Sequence, residues 1–398
     1  MKLTVPHNWQ SDLVDSIDLS CVDGFYGKLD TDILGGGRSS NLCTPVSRRM
    51  FEKEIAKIHK KGLKFNYLIN SICLDNQELS RSMQRQLREL LDWLEDSSVD
   101  SVTLTLPYLS GFMKRNYPNF KLVVSTMAQI DTIDKAKFWE EMGVDTITLY
   151  EVNVNRDLKL LESIRKAVKC RLQLIANNGC LHNCPFTIYH SLLSSHASQK
   201  SHISKGFILE FYRVMCSYMR LKDPVNFLRA DWIRPEDLSI YEDLGIDFIK
   251  IVNRGISTDG LRLMVKAYTE REYDGNLLDL LPKSSRNINF KKTGLRYLFR
   301  FFFHPRLVNI FKLPRIRESF SAIEDCVYID NKKLDGFLFS LQDKNCSLRL
   351  CSDCYWCKGI ADKVVRIDEK KISKAIPKME ELLEEFISGK LFQYPLDL

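Results

Sequence analysis

The sequence lacks long hydrophobic runs. Its first residues, MKLTVPHNWQ, contain no apolar stretch typical of a secretion signal, and apolar residues nowhere continue for the roughly 18 positions that a membrane span needs. These absences predict a cytoplasmic protein without a transmembrane segment. Disulfides are rare in the cytoplasm, so the 12 cysteines are expected to be metal ligands, reactive thiols or small buried side chains.

The common hydrolase signatures are also missing. The sequence contains neither G-x-S-x-G nor H-E-x-x-H, and no cysteine and histidine stand at the spacing of a protease motif. Histidine is scarce, but His182, His190, His196 and His202 form a loose group. From this group we single out His190 as a candidate ligand or proton-transfer residue.

One segment lacks acidic residues. Between Lys283 and Arg317 there are ten Lys and Arg and no Asp or Glu, so the remainder of the chain carries 7 − 10 = −3 of the net charge of +7. Phenylalanines are interleaved with these cations. This basic arm, residues 283–317, suits an acidic protein partner, a membrane surface or, less favoured, a nucleic acid; alternatively its phenylalanines pack on the main domain and its cations are solvated.

Five cysteines stand at metal-ligand spacing. Cys180 and Cys184 lie in GCLHNCPF, and Cys351, Cys354 and Cys357 lie in CSDCYWC. Thiolates favour iron-sulfur clusters and zinc, and the spacing alone does not separate the two. Five ligands are one more than a four-ligand site needs, and Cys346 is close enough to act as a reserve ligand. The other cysteines, Cys73 and Cys216 among them, are predicted to be core residues.

Short apolar runs alternate with amphipathic stretches along the first two thirds of the chain. Such alternation is typical of parallel βαβ units, and eight repeats in about 250 residues predict an α/β fold, a (β/α)8 TIM-like barrel. We expect the barrel over residues 1–265, a connecting segment with the basic arm over 266–345, and a cysteine-rich loop with a C-terminal helix over 346–398. The predicted strands are residues 23–29, 63–70, 101–106, 121–126, 144–151, 171–177, 226–231 and 246–252.

The ends of the predicted strands are unusually polar. Chemistry in such barrels takes place at the face where the strands end, so these side chains are candidate site residues. Cys180 and Cys184 directly follow the sixth predicted strand, which puts their thiols at the same face. The strand-end candidates are Tyr26, Asn70, Gln129, Glu151, Asn153, Trp232, Arg234, Lys250 and Arg254.

Two segments resemble a known family. Residues 123–186, from VVSTMAQ to GCLHNCPF, and residues 232–254, WIRPEDLSIYEDLGIDFIKIVNR, are similar to the barrel of peptidase family U32. The family's His-Gly-Ala-x-Cys reads Asn178-Gly179-Cys180 here, and its Arg-Glu pair reads Tyr150-Glu151. Arg234, Lys250 or Arg254 could supply the charge of the missing arginine.

The resemblance implies an iron-sulfur protein. Several U32-like proteins hold a [4Fe-4S] cluster and take part in oxygen-independent hydroxylation of ubiquinone precursors or RNA bases, with prephenate as implied oxygen donor in some. Carried over, this makes the five cysteines cluster ligands, gives Glu151, Lys250 and Arg254 catalytic roles, and leaves the other strand-end residues to bind an anionic small or carrier-bound substrate. The alternatives are a cluster-bearing or zinc-stapled subunit that docks a partner, and a U32-type peptidase.

Overall fold

A closed barrel of parallel strands organises the protein. The computed structural model describes residues 1–206, 211–282, 326–344, 346 and 349–391. The eight barrel strands follow one another in chain order, and the last pairs with the first. This arrangement confirms the predicted (β/α)8 barrel. The strands are β1 (Lys2–Pro6), β2 (Val22–Gly27), β3 (Lys64–Ile69), β4 (Ser101–Leu104), β5 (Lys121–Val124), β6 (Thr146–Thr148), β7 (Arg171–Ile175) and β8 (Phe248–Lys250).

Helices between the strands form the outer layer. Several begin at a side chain that accepts a hydrogen bond from the first turn, such as Ser47, Ser80 and Ser257. None of the described helices is both long and apolar enough to cross a membrane. The helices are α1 (Leu13–Ser16), α2 (Arg48–Lys60), α3 (Arg81–Asp96), α4 (Pro107–Asn116), α5 (Ile133–Glu141), α6 (Glu151–Val154), α7 (Leu158–Ala167), α8 (Thr187–Ser198), α9 (Phe211–Lys222), α10 (Val225–Arg229), α11 (Leu238–Asp243) and α12 (Thr258–Glu270).

The apolar core lies between the barrel and its helices, while the barrel interior is polar. Within the barrel, Gln173 donates to Thr4 and accepts from Thr148, at 3.0 Å in both cases, and Thr103 donates to Asn66 at 2.6 Å. Successive side chains of a strand point to opposite faces, and the alternate residues that face the helices are mostly apolar, such as Val5, Phe65 and Leu122. Polar side chains are stable inside because they satisfy one another.

One predicted strand is wrong, and one strand was missed. Residues 226–231 do not form a strand: α10 covers most of them. The Asp223 carboxylate accepts from the Val225 N–H at 3.2 Å and binds Arg229 at 2.9 Å, which stabilises a helix there. The eighth strand is instead β1, at the start of the chain, where one apolar run was too short to stand out.

The C-terminal extension covers one side of the barrel. Its short strands β9 (Val327–Ile329) and β10 (Val365–Ile367) pair antiparallel. The Gln342 side chain ties the extension to the start of α7 by donating to the Arg156 carbonyl at 3.0 Å. The basic arm, residues 283–317, lies outside the described residues. The helices are α13 (Phe337–Gln342), α14 (Cys351–Cys354), α15 (Trp356–Val364) and α16 (Glu369–Ile387).

Candidate functional site

Four cysteines of the extension surround one small pocket. Cys346, Cys351, Cys354 and Cys357 line a cavity of about 20 Å³ together with Trp356. The backbone reverses at Tyr355, whose φ of 52° is left-handed, and this break between α14 and α15 turns both C-x-x-C segments toward the same space. The reserve ligand Cys346 therefore belongs with the three cysteines of CSDCYWC.

The spacing and surroundings of these thiols bear on what they can hold. Thiolates on one tetrahedral zinc ion lie about 3.8 Å apart, yet no three of the described cysteine sulfurs lie within 4.8 Å of one another. Burial raises the pKa of Cys357 to about 11 despite the nearby Arg156 guanidinium. Burial also raises the pKa of Cys346, and the neighbouring Cys351 and Cys354 add to this effect. A bound metal centre would offset this penalty by holding the thiolates.

A second group of thiols follows β7. Cys180 and Cys184 bracket a loop that the Asn183 backbone, with φ of 50°, and the Asn153 side chain hold in place, since Asn153 Oδ1 accepts from the Asn183 N–H at 3.1 Å. Cys180 is open to solvent on one side and enclosed on the others. That enclosure, followed by the Glu151 carboxylate, raises the pKa of Cys180, and Cys216 and Cys184 act in the same direction.

One cavity lies between the two groups. It has a volume of about 530 Å³ and is lined on one side by Cys346, Cys351 and Cys357, and on the other by His182 and Asn183 from the Cys180–Cys184 loop. The two predicted cysteine segments thus face a common space, although Cys180 and Cys184 themselves are not among its lining residues. Two further lining residues are the arginines Arg156 and Arg229.

An Asp–His pair stands in the same cavity. His182 Nδ1 lies 3.0 Å from Asp231 Oδ2, and both residues line the space. His182 Nε2 is buried and has no hydrogen-bond partner in the described part of the chain. Asp231 also accepts from the Asn153 N–H at 3.2 Å. The structure thus brings His182 to the cavity that three of the cysteines also line, and the predicted His190 is not among that cavity's lining residues.

The predicted catalytic residues meet at the mouth of the barrel. The Lys250 ammonium lies 4.2 Å from the centre of the Tyr26 ring, whose hydroxyl donates to the Ile251 carbonyl at 2.9 Å. Glu151 accepts a hydrogen bond from Thr126, and burial raises the pKa of its carboxyl. Burial and then Arg254 lower the pKa of Lys250 to about 7, while Glu151 opposes the shift. These three residues therefore form one electrostatic unit.

A glycine-rich loop after β2 brings a further arginine to the mouth. Gly36 leaves room for Asn70, because a Cβ there would lie 2.8 Å from Asn70 Oδ1. Next to this loop, Arg38 packs against Gly255, beside Arg254. Burial lowers the pKa of Arg38 to about 10, and Arg254 adds to that effect. The sequence signal that was missed is the run Gly35-Gly36-Gly37-Arg38 in the loop after β2.

Comparison with known proteins identifies the family. The sequence profile of peptidase family U32 matches residues 38–272, more than half of the chain. The chain belongs to peptidase family U32. A relative described as an uncharacterized protease of Methanocaldococcus jannaschii is 30% identical over 336 residues, which cover 84% of this chain and 87% of the relative. A U32 peptidase of known structure is 23% identical with a TM-score of 0.48, covering 64% of this chain and 94% of its own.

Two predicted substrate-binding residues of this U32 protein have structural partners instead. The Arg234 guanidinium donates to Asn331 Oδ1 at 3.0 Å, to the Leu334 carbonyl at 2.8 Å and to Asp335 at 2.7 Å. Trp232 donates to the Phe227 carbonyl at 2.8 Å and stacks on Phe337. Both side chains are buried and fasten the extension to the barrel, so we leave them out of the site.

The remaining predicted residues of the U32 chain line its rim. Asn70 donates to Ser125 Oγ at 3.0 Å and receives the Gly37 N–H at 3.4 Å, so it holds the glycine-rich loop. Gln129 is half-buried after β5, with a left-handed φ of 52°. Asn153 lines the large cavity, also with positive φ, at 82°. These three side chains are uncharged and lie around the mouth.

Proposed function

We propose that this U32 protein is an iron-sulfur redox enzyme, an oxygen-independent hydroxylase or a relative of one, acting on an anionic substrate at the barrel mouth. The observation that carries the proposal is the ring of Cys346, Cys351, Cys354 and Cys357 beside the cavity of about 530 Å³. Four cysteines are the usual ligand set of a [4Fe-4S] cluster. Bound there, the cluster would supply electron transfer at the edge of the cavity.

Charge around the thiols supports a cluster more than zinc. No three of the described cysteine sulfurs lie as close together as the ligands of one tetrahedral ion, and a four-iron cluster separates its thiolates because each binds a different iron. Arg156 Nη2 and Arg229 Nε are buried without a hydrogen-bond partner in the described chain. Each guanidinium has other partners, but these two free N–H groups beside four cysteines suit a cluster of net negative charge.

The mouth residues suit an anion that exchanges a proton. Arg38 and Arg254 stand side by side, and Arg254 has no carboxylate partner among the described residues, so together they can bind a carboxylate or a phosphate. Lys250 adds a cation whose charge depends on pH near neutrality. Glu151, a carboxyl with raised pKa, is the group we assign to proton transfer.

Anaerobic purification followed by iron, sulfide and zinc analysis tests the cluster. We expect about four irons and four sulfides per chain and a broad visible absorption band. Cys354→Ser should lose the iron, and Cys21→Ser, which changes a half-buried thiol at the start of β2, should keep it. Stoichiometric zinc in a colourless protein would overturn the proposal.

The same measurement separates two ligand sets. We assign the cluster to Cys346, Cys351, Cys354 and Cys357, whereas the sequence-based set used Cys180 and Cys184 with the last three. Cys346→Ser should therefore lose iron as Cys354→Ser does, and Cys180→Ser should retain it. The opposite pattern would support the sequence-based set and would make Cys346 a bystander.

Peptide hydrolysis is the second candidate, because His182 and Asp231 form an oriented pair in a cavity that three cysteines also line. The relative from Methanocaldococcus jannaschii is described as a protease. Under this alternative, a fluorogenic peptide library would be cleaved by aerobically purified, iron-free protein, and His182→Ala would abolish cleavage. Iron-dependent redox activity without peptide cleavage would exclude it.

A further inference from the structure

Three possible metal ligands converge at a place remote in sequence from the cysteine-rich loop. Cys73 Sγ, Asp75 Oδ1 and His196 Nε2 all lie within 4.8 Å of one another, and no other group of three cysteine, histidine or acidic ligand atoms in the described chain does so. Cys73 and Asp75 lie in the loop after β3, and His196 lies in the last turn of α8. Sulfur, nitrogen and carboxylate oxygen together are a donor set that zinc accepts.

The separations suit ligands of one ion. Asp75 Oδ1 lies 3.4 Å from His196 Nε2, which is longer than the about 2.7–2.9 Å of a charge-assisted N–H···O hydrogen bond, and it accepts from the Cys73 thiol at 3.4 Å. With zinc–nitrogen and zinc–oxygen bonds of about 2.0–2.2 Å, a tetrahedron puts its ligand atoms about 3.3–3.6 Å apart. His196 Nε2 is moreover buried without a hydrogen-bond partner in the described chain, so no hydrogen bond competes with a metal for this atom.

Neighbouring side chains hold the three ligands in position. The Gln199 amide donates to the Cys73 carbonyl at 2.7 Å, and Ser195 Oγ accepts from the Ile72 N–H at 3.0 Å. These two bonds join the end of α8 to the loop that carries Cys73 and Asp75. The site is therefore built by groups other than its ligands, as preorganised metal sites are.

His202 completes the arrangement from outside the ligand set. Its Nδ1 accepts from the Ser204 N–H at 3.0 Å, so in the neutral ring the proton resides on Nε2. That Nε2 lies 3.4 Å from Asp75 Oδ2, the oxygen opposite the one facing His196. The His202 ring also stacks on His196, with centroids 4.1 Å apart. His202 thus orients Asp75 and His196, in the way that outer partners orient the ligands of known zinc sites.

We propose that Cys73, Asp75 and His196 bind one zinc ion, with a water as the fourth ligand on the exposed side of Asp75. The ion joins the loop after β3 to α8. Ser198, two residues beyond His196, both receives the Gly36 N–H at 2.7 Å and donates to the Gly36 carbonyl at 2.9 Å. The ion therefore fixes the end of α8 against the glycine-rich loop that presents Arg38, and it acts as a structural staple of the rim.

Zinc stoichiometry and thermal unfolding test the site. Full-length protein is stripped with a chelator and titrated with zinc, and bound zinc is counted by mass spectrometry after desalting. We expect Cys73→Ser, Asp75→Asn and His196→Ala each to bind one zinc fewer per chain than wild type. Zinc bound by the cysteine-rich loop is the same in wild type and in each variant, so it cancels when the two zinc counts are subtracted. Cys21→Ser is the matched thiol control and should bind as much zinc as wild type.

Unfolding temperature separates loss of metal from loss of fold. In chelator, the exposed substitution Asp75→Asn should have the Tm of wild type, and zinc should raise the Tm of wild type but not of this variant. A cobalt titration gives an independent signature, because the site contributes a single thiolate band that Cys73→Ser removes. Equal zinc counts in wild type and all three variants, or a wild-type Tm indifferent to zinc, would overturn the proposal.

Discussion

At the end of the barrel where the strands begin, aspartates placed just before strands each bind a backbone N–H and at least one basic side chain. Asp145, before β6, accepts the Leu122 N–H of β5 at 2.9 Å and pairs with Lys114 and Lys121. Asp247, before β8, accepts the Leu172 N–H of β7 at 2.8 Å and pairs with Arg165. Asp100, before β4, does the same for Phe65 and His59. Charge there is neutralised locally, and the result is strand cohesion.

The opposite end is different in kind. Four cations, Lys28, Arg38, Lys250 and Arg254, meet two carboxylates, Asp32 and Glu151. Asp32 is already committed to Lys28 at 2.9 Å, to the Tyr67 hydroxyl and to two backbone N–H groups. An excess of buried positive charge costs stability unless a ligand offsets it. One end of this barrel stabilises the fold, and the other carries the uncompensated positive charge on which the proposed anion site rests.

The largest effect should come from removing one cation of the mouth. We expect Arg254→Ala to weaken binding of small dicarboxylates, prephenate among them, by about 30-fold or more, since truncating one partner of an enclosed charge pair costs about 2 kcal/mol or more. The free energy of unfolding should not fall, because Arg254 has no carboxylate partner among the described residues. Isothermal titration calorimetry measures the first quantity, and urea unfolding the second.

The exposed Arg262 of α12, whose ion-pair partner in the described part of the chain is the exposed Asp259, is the matched control. Arg262→Ala should leave both quantities unchanged, because exposed ion pairs contribute little. If Arg254→Ala and Arg262→Ala reduce anion affinity equally, the mouth is not a specific anion site. The two ends of the barrel would then not differ in anion binding.

The next largest effect should appear at the end of the barrel where the strands begin, and it should concern the free energy of unfolding. Asp145→Ala leaves the Leu122 N–H without its acceptor and two lysines without their carboxylate. We expect the free energy of unfolding to fall by about 1–3 kcal/mol, the usual cost of an unsatisfied, largely enclosed backbone group. Anion affinity should be unchanged. Urea unfolding checks this against Asp259→Ala, an exposed aspartate whose loss should have no measurable effect.

Much of the barrel was predictable because its pattern is local. Seven of the eight barrel strands correspond to apolar runs read from the sequence, since alternating strands and amphipathic helices leave a periodic record. The exception, residues 226–231, reads as a strand by composition. The Asp223 carboxylate favours a helix there by accepting the N–H of Val225 at its start, and an apolar run of six residues does not reveal that competition.

The site was predictable in part, and its groupings were not. Polar residues at strand ends identified the mouth, and Glu151, Lys250 and Arg254 do interact there. Arg234 also follows a predicted strand, but its guanidinium donates to Asn331 and Asp335. These partners lie about 100 residues away, and no local pattern connects them to it. For the same reason, sequence spacing did not reveal that Cys73 faces His196.

The smallest effect concerns pH, and it should have opposite signs for binding and for stability. Burial and the neighbouring Arg254 lower the pKa of Lys250 to about 7, against about 10.4 in an unfolded chain. An anion prefers the protonated amine, so its affinity should fall about tenfold between pH 6 and 8 as the charged fraction declines. Between about pH 7 and 10.4 the unfolded state holds the additional proton at this residue, so the Lys250 contribution to stability should rise with pH.

Two substitutions separate the pH dependence of anion affinity from the pH dependence of stability. Lys250→Arg keeps its charge throughout and should flatten the affinity profile, whereas Lys250→Met should remove the Lys250 part of the pH dependence of unfolding. Titration calorimetry at pH 6, 7 and 8 and urea unfolding from pH 7 to 10 measure both. If the anion affinity of wild type is constant between pH 6 and 8 while Arg254→Ala still weakens binding, then Arg38 and Arg254 bind the anion without Lys250. Lys250 would then act on Glu151 and Tyr26 rather than on the ligand, which narrows the binding part of the mouth to Arg38 and Arg254.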